Sequence, residues 1–429
     1  MVGTRTGRTT PATAYSHGIP SQPKRGVFRA CSDVAHLCRH VIDVLTIPLM
    51  RKLIIKLTLL CASAVLCFGL AEGFLRLFPS LVPLEIQQTI RAKPEDYGLP
   101  HPYLGNLHKP LSAGIIQSRD FKTVNRTDGH GFRNPWPWPK QAEIIVLGDS
   151  LAFGFGVEDN EAWPEILKQL LSNPSVINLG LIGSGLTQYL RVYQTFGVAL
   201  HPKLVIVGLF LGNDLWDTLK FDQWLKSKDG DNYMAWRDSV SEHWSFNIRE
   251  PVSSMKALLK GNSYCYNLLR VAYKDFQSRN DTRLFRFSDG SQIHLSPRVF
   301  TGTTQGASPD RPEYQLAVKA LREICSIAEQ NGTQVLFAMQ PSKEEVYLPL
   351  LGQSVRDPGA ALRPELDKWG VGYLDLTPAF REHAKAGQRL FFDMDGHPNR
   401  EGYRLTAEEV AAYLKEKMPK LSAGTARHE

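Results

Sequence analysis

The chain has 429 residues, of which 43% are hydrophobic, 10% aromatic and 22% charged. That length and apolar share supply a hydrophobic core for one large domain or two smaller ones. The formal charge of +7 does not point to a nucleic-acid partner, because residues 1–56 carry nine Lys/Arg against two acids and the rest of the chain is balanced.

Residues 1–49 begin rich in Thr, Ser, Pro and Arg and show no core pattern. They read as a disordered tail or as a start placed too early, since Met50-Arg51-Lys52 and the apolar run behind it make an export signal by themselves. That run, residues 53–75, carries no charge between 57 and 71. At about 1.5 Å of rise per residue, a helix of this length crosses a hydrocarbon layer of roughly 30 Å. Arg51, Lys52 and Lys56 put the N-terminus on the cytoplasmic side and everything after Arg76 outside. Glu72 and Arg76 stand near the far interface at i,i+4 spacing. A cleaved signal peptide is the competing reading. Glu72, Phe74 and Arg76 interrupt any small-x-small cleavage site, so the expectation is an uncleaved single-pass anchor in a bacterial inner membrane, with the body in the periplasm. Cys265 and Cys325, the two cysteines beyond the anchor, carry no disulfide framework and are expected to be buried unpaired. No Cys/His cluster has zinc spacing, so neither a metal nor a cofactor is expected.

Residues 77–140 are a Pro/Gly-rich approach segment ending in Pro135-Trp136-Pro137-Trp138-Pro139. Ile144-Ile145-Val146-Leu147 reads as a buried strand that runs into the turn Gly148-Asp149-Ser150. A helix near 161–171, a strand at 176–179 and the glycine-rich turn holding Gly180, Gly183 and Gly185 follow, the last opening a helix to about 196. The strand at 204–210 lacks polar side chains, as a doubly covered parallel strand does, and ends in Gly212-Asn213-Asp214. Residues 215–310 break the alternation and read as an inserted lid or substrate-binding subdomain, with a periodic stretch at 255–276. Most of its tryptophans (Trp216, Trp224, Trp236, Trp244) are expected to pack its own small core. Alternation resumes with a helix at 312–331, strands at 334–339 and 372–376, a loop at 391–396 and a helix at 401–417. The fold class is therefore α/β: a three-layer α/β/α sandwich with a five-stranded parallel sheet over 141–417.

The turns after successive strands should meet at one end of such a sheet, where ligands of open α/β folds bind. Gly148-Asp149-Ser150 alone is only a turn. Together with Gly183, Gly212-Asn213-Asp214 and Asp393-Met394-Asp395-Gly396-His397-Pro398, it gives serine, glycine, asparagine and Asp/His in order. Those blocks resemble the SGNH (GDSL) hydrolase superfamily over roughly residues 125–417, interrupted by the insertion. Asp128-Gly129-His130-Gly131-Phe132-Arg133 and Pro341-Ser342-Lys343-Glu344-Glu345-Val346-Tyr347 are similar to blocks of its membrane-anchored bacterial members.

The resemblance implies a flavodoxin-like strand order and a role for each residue. Ser150 would attack an ester carbonyl and His397 would act as general base. The oxyanion would be held by the backbone N–H groups of Ser150 and Gly183 and by the Asn213 amide. Asp149 and Asp214 are expected to be structural, bonding turn amides. Many members place the acid three residues before the histidine, where this chain has Met394. Asp395, two before His397, is the expected acid, with Asp393 the other candidate. The Asp-x-His form resembles the periplasmic polysaccharide O-acetyltransferase branch, which turns the expectation toward acyl groups on glycans. The expected function is a serine esterase of O-acyl, above all acetyl, groups on a small molecule or an envelope or exported glycan; the alternatives are an acyltransferase to a polysaccharide using the same triad, and a non-catalytic glycan-binding or assembly protein.

Overall fold

The computed structural model describes residues 25–83, 86–87, 90, 98–227, 232–241, 254–278, 282–305 and 307–419. The chain divides into two compact units, residues 1–71 and 72–429. A helix, α1 (Arg25–Leu77), runs through the apolar segment. Within it Met50–Leu77 is long and apolar enough to cross a membrane. Residues 25–49 are helical too, whereas the composition suggested a tail; no Gly or Pro interrupts 27–47, so nothing in the backbone breaks the helix there. The part of that tail at 1–24 lies outside the described residues.

The second unit is built on the expected parallel sheet. Its strands are β1 (Ile144–Gly148), β2 (Val176–Gly180), β3 (Leu204–Leu209), β4 (Gln334–Met339) and β5 (Gly372–Asp375). They lie in the order 2-1-3-4-5, all pairs parallel, which is the flavodoxin-like order. Residues alternate between the two faces along each strand. Ile145, Leu147, Val205, Val207, Val335 and Phe337 join one core with α4 (Leu186–Val192) and the long helix Pro312–Gln330. Ile144, Val146, Leu204, Ile206, Leu336 and Ala338 join the other, under Trp163, Leu167, Val410 and Leu414 of α3 (Trp163–Leu170) and the C-terminal helix Arg400–Lys417. Both faces being covered explains why these strands carry almost no polar residue. Each fully buried Val, Leu or Ile contributes about 1.5–3 kcal/mol relative to an exposed one.

The approach segment holds structure that its Pro/Gly content hid. Leu99–His101 pairs antiparallel with Gly105–Leu107, and Ala113–Gln117 with Lys122–Arg126. The expected boundary of the insertion also shifts. A helix, α5 (Asp214–Ser227), follows β3 directly and buries Leu215, Thr218, Phe221 and Trp224, so residues 215–227 belong to the sandwich layer and the added elements begin beyond it. Those elements include α6 (Tyr233–Ser241), α7 (Ser254–Asn262), α8 (Tyr264–Ser278) and the hairpin Arg283–Arg286 with Gln292–Leu295. Trp224 and Trp236 pack with Phe221 and Tyr233 in a small cluster of their own; Trp244 lies outside the described residues. Cys265 and Cys325 are free.

Candidate active site

The strand order reverses between β1 and β3, and the crevice outside their carboxyl ends is where doubly wound sheets hold ligands. Ser150 follows β1 and Asn213 follows β3, so the two face this crevice from either side. Ser150 opens a one-turn helix, α2 (Ser150–Phe153), capped by Asp149, whose carboxylate accepts the Leu151 N–H at 2.8 Å. The turn is tight because the helix lies close to the sheet. A Cβ on Gly148 would come within 2.5 Å of the Ala152 Cβ, so only glycine fits there. The Ser150 N–H is one of the first-turn donors that a helix leaves without an internal partner.

Asp149 also accepts the Asn213 side-chain amide at 3.1 Å, which fixes that amide beside the Ser150 turn and leaves its second N–H uncommitted to Asp149. Burial pushes the Asp149 carboxyl up despite the hydrogen bonds from Leu151 and Asn213. Asp214 accepts the Phe210 N–H at 2.8 Å and the Tyr189 hydroxyl at 2.6 Å, and burial drives its carboxyl well above the usual range. Both aspartates thus bond the local frame, as expected. The turn bearing Gly183 starts beside the Ser150 turn, since the Leu181 N–H donates to the Gly148 carbonyl at 2.9 Å. Gly183 has φ +70°, and its carbonyl accepts from Arg237 at 2.7 Å. A neighbouring buried imidazole, His108, contacts the Gly131 carbonyl through Nδ1 at 3.0 Å and accepts the Ile182 N–H through Nε2 at 3.4 Å. Burial lowers the pKa of His108 to about 4, so it is neutral and serves as a bridge between the approach segment and the Gly183 turn.

On the opposite side stands the loop before the C-terminal helix. His397 Nε2 lies 2.8 Å from Ser150 Oγ, and Nδ1 lies 2.6 Å from Asp395 Oδ1. With Nδ1–H donating to the carboxylate, Nε2 is left as the acceptor for the serine proton. Ser150 Oγ is also 3.5 Å from Asp149 Oδ2, too long to compete for that proton. Burial alone would raise the Asp395 carboxyl; the hydrogen bond and charge of His397, the His397 backbone N–H and Lys343 outweigh it and hold the group below the ordinary aspartate value. Asp393, the other candidate, pairs instead with Arg389. The Phe155 ring lies against the imidazole at 4.7 Å between centroids.

Two residues without a role in the sequence reading hold this loop. Asp120, at the tip of the hairpin 113–126, accepts the backbone N–H groups of Met394 at 2.9 Å and Asp395 at 2.7 Å through one oxygen. Lys343 Nζ donates to the carbonyls of Met394 and Asp395, each at 3.0 Å. One side chain binds the donors of the loop and the other its acceptors. Lys343 belongs to the block 341–347 that is similar to family members, whereas Asp120 gives no sequence signal. The Asp128 block has a structural reading as well. Asp128 accepts the His130 and Phe132 N–H groups, and Arg133 donates to the Phe153, Gly154 and Val157 carbonyls, clasping the segment that leaves α2. Among the described residues no three His, Cys, Asp or Glu side chains converge as metal ligands.

Residues 146–405 match the family described as GDSL-like Lipase/Acylhydrolase. No curated protein matches the chain. Among solved structures it is similar to a member of the lipolytic G-D-S-L protein family from Veillonella parvula, at 14% identity over 65% of this chain and 98% of that one, with a TM-score of 0.33. A catalytic mutant of an acetylxylan esterase from Geobacillus stearothermophilus gives 13% identity over 64% and 93%, with a TM-score of 0.33. A GDSL-like lipase from Bacteroides thetaiotaomicron gives 11% over 66% and 93%, with a TM-score of 0.31.

Proposed function

The chain belongs to the GDSL-like lipase/acylhydrolase family, an ester-hydrolysing class, and from that membership we propose that Ser150, His397 and Asp395 form the catalytic triad of a serine esterase. The observation that carries this reading is the unbroken chain of hydrogen bonds from Ser150 Oγ through His397 to Asp395, set beside the Asn213 amide.

Ser150 Oγ bonds to the carbonyl carbon of the ester as its proton passes to His397 Nε2. The resulting oxyanion takes hydrogen bonds from the N–H groups of Ser150 and Gly183 and from the free N–H of Asn213, each such donor being worth about 3 kcal/mol in the transition state. The bond to the alkoxy oxygen then breaks, and the imidazolium returns its proton to the leaving alkoxide. Water attacks the acyl-enzyme, gives a proton to His397, and releases the carboxylic acid and Ser150. Asp395, ionised and fixed by Asp120 and Lys343, keeps the imidazole in the tautomer this cycle needs.

The acyl group in this reading is acetyl on an exported glycan. The Asp395-Gly396-His397 spacing supports it. The span Met50–Leu77 is read as an uncleaved anchor, with its basic flank in the cytoplasm and the catalytic unit in the periplasm. The test is hydrolysis of an aryl acetate by the full chain in detergent, followed by acetate release from acetylated oligosaccharides. Hydrolysis of both that Ser150→Ala abolishes is the expected result; hydrolysis that survives Ser150→Ala overturns the assignment. Acetyl transfer to an added oligosaccharide in place of acetate release would replace the esterase reading with the transferase one.

A further inference from the structure

The carboxyl end of the apolar span is tied directly into the added helices. Glu72 accepts the N–H groups of Tyr264 at 3.2 Å and Cys265 at 2.9 Å and the Ser263 hydroxyl at 2.9 Å, so it caps the start of α8. Arg76 pairs with Glu72 at 2.8 Å and donates to the Asn262 carbonyl, the last residue of α7, at 2.6 Å. The junction of α7 and α8 is therefore bonded to Glu72 and Arg76 of the last turns of α1.

α8 is apolar on two opposite sides. Tyr264, Leu268 and Val271, at i, i+4 and i+7, pack with Leu75, Val82, Ile86 and Ile90. Leu269, Tyr273 and Phe276 repeat the same spacing on the far side, where Leu269 is 65% and Phe276 68% exposed. Met255 and Leu258 of α7 are exposed as well. A helix with a second apolar stripe in water is costly unless something covers it. Residues 254–278 also hold Lys256, Lys260, Arg270 and Lys274 against the single acid Asp275. Aromatic and aliphatic side chains along a helix rich in Lys and Arg make up the composition of segments that lie in the surface of an anionic bilayer.

We propose that α7 and α8 lie in the face of the phospholipid bilayer that the span crosses, with Met255, Leu258, Leu269 and Phe276 immersed among the acyl chains. This surface rests on reading Met50–Leu77 as an anchor. It fixes the catalytic unit at the membrane face through two contacts, the span and the helical pair, and so limits its reach to substrates presented near that face.

The test uses the full chain reconstituted into vesicles of phosphatidylethanolamine and phosphatidylglycerol, with a benzophenone amino acid placed singly at Leu60, Leu269, Phe276 or Arg404. Retained ester hydrolysis checks the fold of each variant. After irradiation, mass spectrometry is expected to find lipid adducts at Leu60, Leu269 and Phe276 and none above background at Arg404, a position exposed on the C-terminal helix. Adducts at Leu60 without any at Leu269 or Phe276 would overturn the docking surface and leave the anchor standing. Protein crosslinks at Leu269 and Phe276 in place of lipid would overturn it in favour of a second copy of the chain. No adduct at Leu60 would remove the anchor reading, and the surface with it.

Discussion

The two halves of the candidate site are held in place by different means. The Ser150 half is built locally: β1, Gly148, the Asp149 cap and α2 follow one another in sequence, with Arg133 securing the segment that leaves α2. The base half is a loop, 391–398, with little secondary structure of its own. It depends on Asp120 from a hairpin far upstream and on Lys343 from the start of the helix that follows β4. The comparison teaches that a serine can be pre-organised by a strand and a helix, whereas its histidine is aimed by long-range hydrogen bonds to a loop backbone.

This contrast can be broken or sharpened by mutation. The largest effect among the variants below is expected at the acid. Asp395→Asn loses the carboxylate that sets the imidazole tautomer and should lower kcat about 10⁴-fold, the scale seen when a triad aspartate is replaced. Asp393→Asn, which loses only a partly exposed pair with Arg389, should stay within about threefold. Steady-state hydrolysis of an aryl acetate measures both, and equal losses would undo the assignment of Asp395. Next comes the nucleophile half. Asn213→Ala removes the amide assigned to the oxyanion in the proposed mechanism and should lower kcat about 10²–10³-fold with little change in KM.

The clamp on the base half should matter less, though in a diagnostic way. Asp120→Ala and Lys343→Met each release part of the loop, and a misplacement on the order of 1 Å costs up to about 10²-fold. The fall should appear in kcat with fluorophosphonate labelling slowed in parallel, and Lys343→Arg should restore part of it. If the rates of both variants match the unaltered chain, the loop is self-supporting and the contrast between the halves disappears.

The smallest expected effect is on stability, in the helix Lys343–Tyr347 that carries Lys343. Burial raises the Glu345 carboxyl from 4.5 to about 7, against the hydrogen bonds it accepts from Ser342. The folded state thus binds this proton more tightly than the unfolded chain. Its contribution is complete below about pH 4.5 and is lost as the pH rises through 7, a span of at most about 3 kcal/mol. Glu345→Gln keeps an acceptor for the Ser342 N–H without the charge. Its Tm should match the unaltered chain at pH 4 and exceed it by a few degrees at pH 8; a constant difference between the two pH values would exclude this titration.

Much of this was legible in the sequence because it is local. The four β-branched and aliphatic residues before Gly148 could only be a covered strand, and the 334–339 strand has the bounds its composition implies. The order of Ser150, Gly183, Asn213 and His397 along the chain matched a known family, and the sheet order agrees with it. What stayed hidden is non-local. An aspartate in a Pro/Gly-rich segment gives no sign that a hairpin will deliver it to two amides of a loop almost three hundred residues away. The helix Asp214–Ser227 was assigned to the insertion because its polar residues mask a buried face of Leu215, Thr218, Phe221 and Trp224. Lys343 stood in a block similar to family members, but nothing in its sequence context shows that its ammonium reaches the carbonyls of Met394 and Asp395 some fifty residues on.

The central claim is that Ser150 is a nucleophile activated by His397. Labelling the full chain with a fluorophosphonate and mapping the adduct by peptide mass spectrometry tests it most directly. The account predicts one adduct, on Ser150, that forms rapidly in the unaltered chain and is lost in His397→Ala at the same pH. An adduct on another residue, or labelling of Ser150 that proceeds unchanged without His397, would contradict it.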